Sequence, residues 1–299
     1  MEWLGSIRGA IEYMEGHLLT VEDADEVAGA VYMSPFYLQK GFKVMTGYSI
    51  GEYIRSRRLY LAGLDVISGT EKVIDIAYKY GYDTPESFTK AFTRFHGVTP
   101  TGLRNDAGKI KVFLPLKITI QIQGGNDMDY TVEKMKGFQV IGYEREFSFD
   151  TSYQEIPGFW DEICNSKLAE LFSGKTPESE EEKTICNCCI GKYGVCIDDI
   201  GGGKFRYLIA GDYAGGEIPD GMKVFAFPDM EWAKFSCRGP MPGALQSVNT
   251  KIFNEWLPGN TEYEIAMGAN IEWYSPEGDM SDMDYETQIW IPIRRKSCI

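Results

Sequence analysis

The chain has 299 residues, 44 acidic against 30 basic side chains, a net charge of −14, and the aromatic-rich composition of a globular protein without low-complexity tracts. That length suffices for two domains with separate cores, and no apolar run approaches the roughly 20 residues a membrane span needs. The amphipathic start MEWLGSIRGAIEYMEGHLL is unlike a secretory signal, so a soluble, cytoplasmic protein without membrane contact is the expectation.

The charge is unevenly placed. Residues 1–117 carry 14 Lys and Arg against 14 Asp and Glu, whereas 118–299 carry 16 against 30. A neutral first part keeps local basic patches available for nucleic acid, and an acidic second part repels DNA and favours cationic ligands. The odd cysteine count of seven fits reduced thiols better than a disulfide framework.

In chain order, Leu4, Ile7, Ile11, Met14 and Leu18 recur at helical spacing and predict an amphipathic helix over 3–19. Thr20, with Asp23 three positions on, predicts the cap of a second helix over 21–30. Ser34 and Pro35 open a third helix, in which Leu38, Phe42 and Met45 form the core stripe. Its other face carries Phe36, Gln39, Lys40 and Lys43. Residues 49–68 predict one long helix, bearing Arg55, Arg57 and Arg58. Ile74, Ala77 and Tyr78 mark a helix ending near Gly81, and Thr84-Pro85 opens another with Phe88, Phe92 and Phe95 buried. That last helix leaves Glu86, Ser87, Lys90 and Arg94 outside.

The third and last of these helices repeat each other at an offset of fifty. Ser34 meets Thr84, Pro35 meets Pro85, Leu38 meets Phe88, Phe42 meets Phe92 and Gly47 meets Gly97, while Phe36 meets Glu86 and Gln39 meets Thr89. A repeat that keeps its core and varies its surface suggests one scaffold used twice on different partners. Two short helices around a tight turn make a helix-turn-helix, whose second helix fits the DNA major groove. Two such units on a rigid linking helix would enter major-groove faces about 34 Å apart.

The stretches FKVMTGYSIGEYIRSRRL and IDIAYKYGYDTPESFTKAFTRFHGVTP resemble the DNA-binding domain of AraC/XylS-type transcription regulators across residues 5–105. The resemblance implies base contacts by Phe36, Gln39 and Lys40 in the first unit and by Glu86, Ser87 and Lys90 in the second. Lys43 and Arg94 are further DNA-binding candidates, and Arg55, Arg57 and Arg58 are open to either phosphate contact or pairing with acids inside the domain, Arg55 being retained as a DNA-binding candidate. Gln39 suits adenine, Lys40 and Lys90 suit guanine or phosphate, and Glu86 suits cytosine N4. Double-stranded promoter DNA is the partner implied, with RNA polymerase a further one.

After residue 109 the period changes. Ile118, Ile120 and Ile122 alternate with polar neighbours and predict a strand over 111–123, which Gly124-Gly125-Asn126-Asp127 breaks. Two strands are expected within 128–148, a helix over 153–172, then strands over 185–199, 204–212 and 222–226. A helix near 243–257 and strands over 270–275 and 286–293 complete an α+β order. FQVIGYE, IPGFWDEI, IEWY and QIWIPI resemble the GyrI-like effector-binding domain. The fold class expected is therefore multidomain. An all-α double helix-turn-helix domain (1–107) and a connecting segment (108–127) lead into a GyrI-like antiparallel-sheet domain (128–299).

The second resemblance implies a cleft for a small effector, with Glu272 as the pocket acid and Trp160, Tyr274 and Trp290 as aromatic walls. A carboxylate among aromatic faces suits a lipophilic cation, as in multidrug sensing. No catalytic residue, cofactor or metal is assigned. Three other readings remain open: hydrolysis of a small electrophile by Glu272 with Trp160, a purely architectural DNA binder with a protein partner, and thiol or metal sensing by Cys186, Cys188, Cys189 and Cys196. The C-x-C-C-x6-C spacing is not a CxxC pair, and on a strand these thiols would diverge, so buried small residues are the plainer reading.

Overall fold

The structure is a computed structural model and describes residues 3–118, 128–198 and 200–296. Helices α1 (Trp3–Gly16), α2 (Ala24–Ala30), α3 (Pro35–Thr46), α4 (Ile50–Ser68), α5 (Val73–Lys79), α6 (Pro85–His96) and α7 (Pro100–Asn105) come first. None among the described residues is long and apolar enough to cross a membrane. The chain divides into two compact units. One gathers α1, α2 and α4 to α7, and the other gathers Ser34–Thr46, which is α3, with the later part of the chain.

In the first unit the caps follow the sequence signals with one shift. The side chain of Asp23, not Thr20, accepts from Glu26 N and starts α2, because a carboxylate also suits the positive end of the helix. Ser49 and Glu52 form a reciprocal capping box on α4, and Thr84 accepts from Ser87 N ahead of Pro85. Leu59, Ala62 and Val66 of α4 bury against Ile76, Ala77 and Tyr80 near α5, Phe88 and Phe92 of α6, and Leu103 of α7. Each Phe contributes about 1.5–3 kcal/mol by burial. Gly47 and Gly97 both take φ +79°, so the two copies of the repeat share a left-handed exit that disfavours any side chain.

Two of the three α4 arginines are structural. Arg57 is 5% exposed and pairs with Glu15 at 2.8 Å, with a further bond to Phe113 O. Arg58 donates to Leu18 O and Val21 O, which leaves Arg55 as the exposed one. Burial lowers the His96 pKa and favours the neutral ring. Lys111 N donates to Nδ1 at 3.1 Å, so Nε2 carries the proton toward Leu59 O at 3.0 Å.

Residues 111–118 carry no strand, which corrects the expectation there, and 119–127, with the rest of that strand and its Gly-Gly break, lie outside the described residues. The second unit is built on nine strands among the described residues. These are β1 (Tyr130–Met135), β2 (Phe138–Ser148), β3 (Tyr193–Ile197), β4 (Lys204–Tyr213), β5 (Met222–Phe227), β6 (Met230–Arg238), β7 (Tyr263–Ile265), β8 (Ala269–Tyr274) and β9 (Glu286–Arg295). Their order is β1-β6-β9-β8-β3-β4-β2-β5, with β7 on β9, and every pair is antiparallel.

The order reads as two halves meeting at β3 and β8. From the centre outward one half runs β3-β4-β2-β5 and the other β8-β9-β6-β1. Each half crosses over through a helix broken by a π segment: α8 (Ser152–Ile163), Cys164–Leu168 and α9 (Ala169–Phe172) in one. In the other, α11 (Gly243–Lys251) passes through Ile252–Trp256 into α12 (Leu257–Gly259). The expected strand over 185–199 is corrected at its start. Ser179 and Glu182 form a capping box and Glu180–Glu182 fill the first turn of α10 (Glu180–Cys188), so only β3 is strand. Val140, Val195, Leu208, Phe227, Trp232, Ile271 and Trp290 form a core on one sheet face.

Two outcomes follow for the first unit. Arg57→Ala strands Glu15 and Phe113 O, and chemical denaturation should show a loss of about 3 kcal/mol. Burial lowers the His96 pKa. Its stabilising contribution is complete above about pH 6.5, the unfolded value, and is lost as pH falls through the folded value. The melting temperature of wild type should therefore drop below about pH 6.5 more steeply than that of His96→Gln.

Candidate functional site

β3 and β8, side by side at the middle of the sheet, set Gly194 directly across from Glu272. Strand alternation puts Cys196 and Asn270 on this same face, and Tyr207, opposite Cys196 on β4, joins them. Glu272 Oε2 accepts from Tyr274 Oη at 2.9 Å and from Tyr207 Oη at 3.2 Å. Trp160 of α8 donates from Nε1 to Tyr207 Oη at 2.9 Å and packs edge-on against Tyr274, centroids 5.2 Å apart. One carboxylate is thus held by two phenols, and an indole orients one of them.

The electrostatics agree with that geometry. Burial, reinforced by Glu272, pushes the phenols of Tyr207 and Tyr274 well above their ordinary value, so both stay neutral donors. The Cys196 thiol is likewise pushed up by burial, which makes it an inert side chain rather than a thiolate. The assembly presents one negative charge among aromatic faces, an arrangement suited to binding a cation by ion pairing and cation–π attraction.

Trp160 and Tyr274 stand where the sequence placed them, beside Glu272. Trp290 does not. It lies across from Ile271, so alternation turns it to the opposite sheet face, where it packs with Trp232 and Tyr193 beneath the Lys234 ammonium. Sequence reading missed Tyr207 and Gly194. Phe205 and Tyr207 alternate in KFRYLIAGDY, but only the ladder to β3 shows that they share the face of Glu272. Gly194 is required by space: a Cβ there would stand 2.1 Å from Tyr207 Oη and 3.1 Å from Glu272 Oε2.

The helices expected to read DNA differ. On α6, Glu86, Ser87, Lys90 and Arg94 are exposed while Phe88 and Phe92 are buried. On α3 the expectation of an open outer face is corrected. Phe36 is 2% and Gln39 5% exposed, and Lys40 and Lys43 are half-buried. The reason is packing in the second unit. The Phe36 ring lies 5.8 Å from Phe149 and 5.9 Å from Phe205, and Tyr37 donates from Oη to Ala269 O at 2.6 Å.

The four clustered cysteines separate. Cys186 and Cys188 end α10, Cys189 is its exposed left-handed cap, and Cys196 is buried on β3. Among the described residues no group of three or more His, Cys, Asp or Glu is placed to hold a metal.

Gly194→Ala should push Tyr207 away from Glu272 and break its bond to Trp160. The measurable outcome is an altered Trp160 emission, isolated in a background with the other tryptophans replaced by Phe, and a stability loss of about 1–3 kcal/mol.

Residues 131–293 match the family model described as integron-associated effector binding protein, and residues 27–106 match a helix-turn-helix domain model. The transcriptional regulator Rob of Salmonella typhimurium is 36% identical over 107 residues, which is 36% of this chain and 37% of that protein. The chain thus spans little more than a third of the length of that relative. The regulatory protein SoxS of Salmonella typhimurium is 34% identical over 99 residues, which is 33% of this chain and 92% of SoxS. A solved structure of SAV2435 bound to tetraphenylphosphonium is 20% identical, matched over 56% of this chain and 94% of that one, with a TM-score of 0.45. The chain belongs to the integron-associated effector-binding family of GyrI-like type, and joins that domain to an AraC-type helix-turn-helix domain.

Proposed function

We propose that the chain is a ligand-responsive transcription regulator in which residues 1–107 bind promoter DNA and 128–299 bind a small lipophilic cation. The observation that carries the effector reading is Glu272, held by Tyr274 and Tyr207 beside the Trp160 ring. A monocation with apolar substituents satisfies both parts of that site, since the half-buried carboxylate attracts a counter-charge and the rings favour a poorly hydrated one.

Support for DNA reading comes from α6. Its exposed row of Glu86, Ser87, Lys90 and Arg94 has the donors and acceptors that major-groove edges require, on a helix with Phe88 and Phe92 anchored beneath. Arg55 is the α4 cation left for a phosphate. Contact with RNA polymerase and a cytoplasmic location belong to this reading on family grounds.

The test uses the full chain. Tetraphenylphosphonium should quench tryptophan emission, and Glu272→Gln should weaken its binding by about tenfold or more, the loss of a charge–charge and cation–π site. Footprinting on the region upstream of the gene should show protection that Lys90→Ala weakens by about 5- to 150-fold. Absence of specific protection at every salt concentration would sink the regulator reading. Turnover of an electrophile, abolished in Glu272→Gln, would favour a hydrolase instead.

A further inference from the structure

Helix α3 buries more than its core stripe although its sequence has a polar face. Leu38 and Phe42 are fully buried, as the stripe predicts, but Phe36, Tyr37 and Gln39 are buried too. Asp198 holds its start: Oδ2 accepts from Phe36 N at 2.7 Å and from the Ser34 hydroxyl at 3.1 Å, so a carboxylate of the second unit caps α3. The Tyr37 hydroxyl is bonded to β8 at Ala269, and its ring lies 6.3 Å from Phe253.

These contacts continue the Glu272 site. Asn270, one pleat repeat before Glu272 on the same face of β8, has its Oδ1 3.4 Å from Lys40 Nζ. Phe205, which packs against Phe36, is the next same-face residue to Tyr207 on β4. Lys40 Nζ lies 5.4 Å from the Phe36 ring centroid. α3 therefore brings an ammonium and an aromatic ring to the sheet face that carries Glu272.

The fit is incomplete. Gln39 Nε2 and Asn270 Nδ2 are buried and find no acceptor among the described residues. Buried donors without partners penalise the docked state, and both would be satisfied by water once α3 left.

We infer that α3 is an internal, displaceable ligand of the effector cleft. A lipophilic cation entering beside Glu272 competes with Lys40 and Phe36, and its binding frees Phe36, Gln39 and Lys40 for the major groove. This rests on the effector reading given under Proposed function. Phe36 and Gln39 are too deeply buried to reach base edges and Lys40 is turned to Asn270, so the docked chain reads DNA with α6 alone.

The experiment is hydrogen exchange over residues 35–46 in the full chain, with and without tetraphenylphosphonium, together with ligand titration of Tyr37→Phe and Asp198→Ala. The expected results are loss of protection in 35–46 on adding the cation, and about tenfold tighter cation binding in either variant, because a docked fraction lowers apparent affinity in proportion. Footprints should lengthen by about one helical turn of DNA when ligand is added, and without ligand in the variants. Tyr37→Phe removes a single hydroxyl and guards against a folding defect in Asp198→Ala. Cation binding by the variants alone supports the inference. If wild type binds the cation while exchange in 35–46 and the affinity of both variants stay unchanged, α3 is no competitor, though the effector reading survives. If neither wild type nor variants bind it, that reading fails and the inference falls with it.

Discussion

A carboxylate half-covered by aromatic rings gains when donors replace the part of its hydration it has lost, and the Glu272 pair of phenol bonds supplies them. Much of the second unit is arranged around it. Tyr274 comes from the same strand, Tyr207 from β4 two strands away, and the indole of Trp160 from α8 fixes Tyr207. For these groups to converge, the strand between must carry no side chain at the crossing point, and Gly194 leaves that gap. The neutrality of the two phenols follows from their own burial beside that carboxylate.

The two copies of the helix repeat show how one pattern meets two environments. On α6 the polar row faces outward and the amphipathic rule holds. On α3 the equivalent row carries Phe36 where α6 has Glu86, and that ring finds Phe149 and Phe205. An aromatic residue on a face meant for polar contacts is the local sign that α3 has a second partner. Its Asp198 cap and Tyr37 bond to β8 are polar contacts reached from far along the chain, which no local spacing reveals.

Legibility in the sequence follows the range of the forces involved. Caps and stripes are local, so α1, α3 to α6 and the alternating strands β4, β8 and β9 are legible in the sequence, and the Ser179–Glu182 box that starts α10 is an equally local signal inside a stretch whose cysteines suggest a strand. Both family resemblances rested on such local words. Pairing register is long-range, and here the reading ran out. Trp290 and Glu272 both sit in aromatic-rich strands, yet the offset that pairs Ile271 with Trp290 sends them to opposite faces. Tyr207 was equally hidden, because its membership depends on β4 lying beside β3.

The meeting of two similar halves at β3 and β8 has a further consequence. Glu272 and Gly194 are partners across the central ladder, so each occupies the place its counterpart would have under an exchange of halves. Were both acidic, two like charges would stand directly opposed, and the space for the second is already filled by Tyr207. The duplicated architecture is therefore obliged to break its own symmetry at the one point where symmetry would be most exact. The result is polarity: the strand that carries Glu272 is acidic at the crossing point and its counterpart carries no side chain there, so a sheet that looks two-fold in outline is one-sided in charge at its centre.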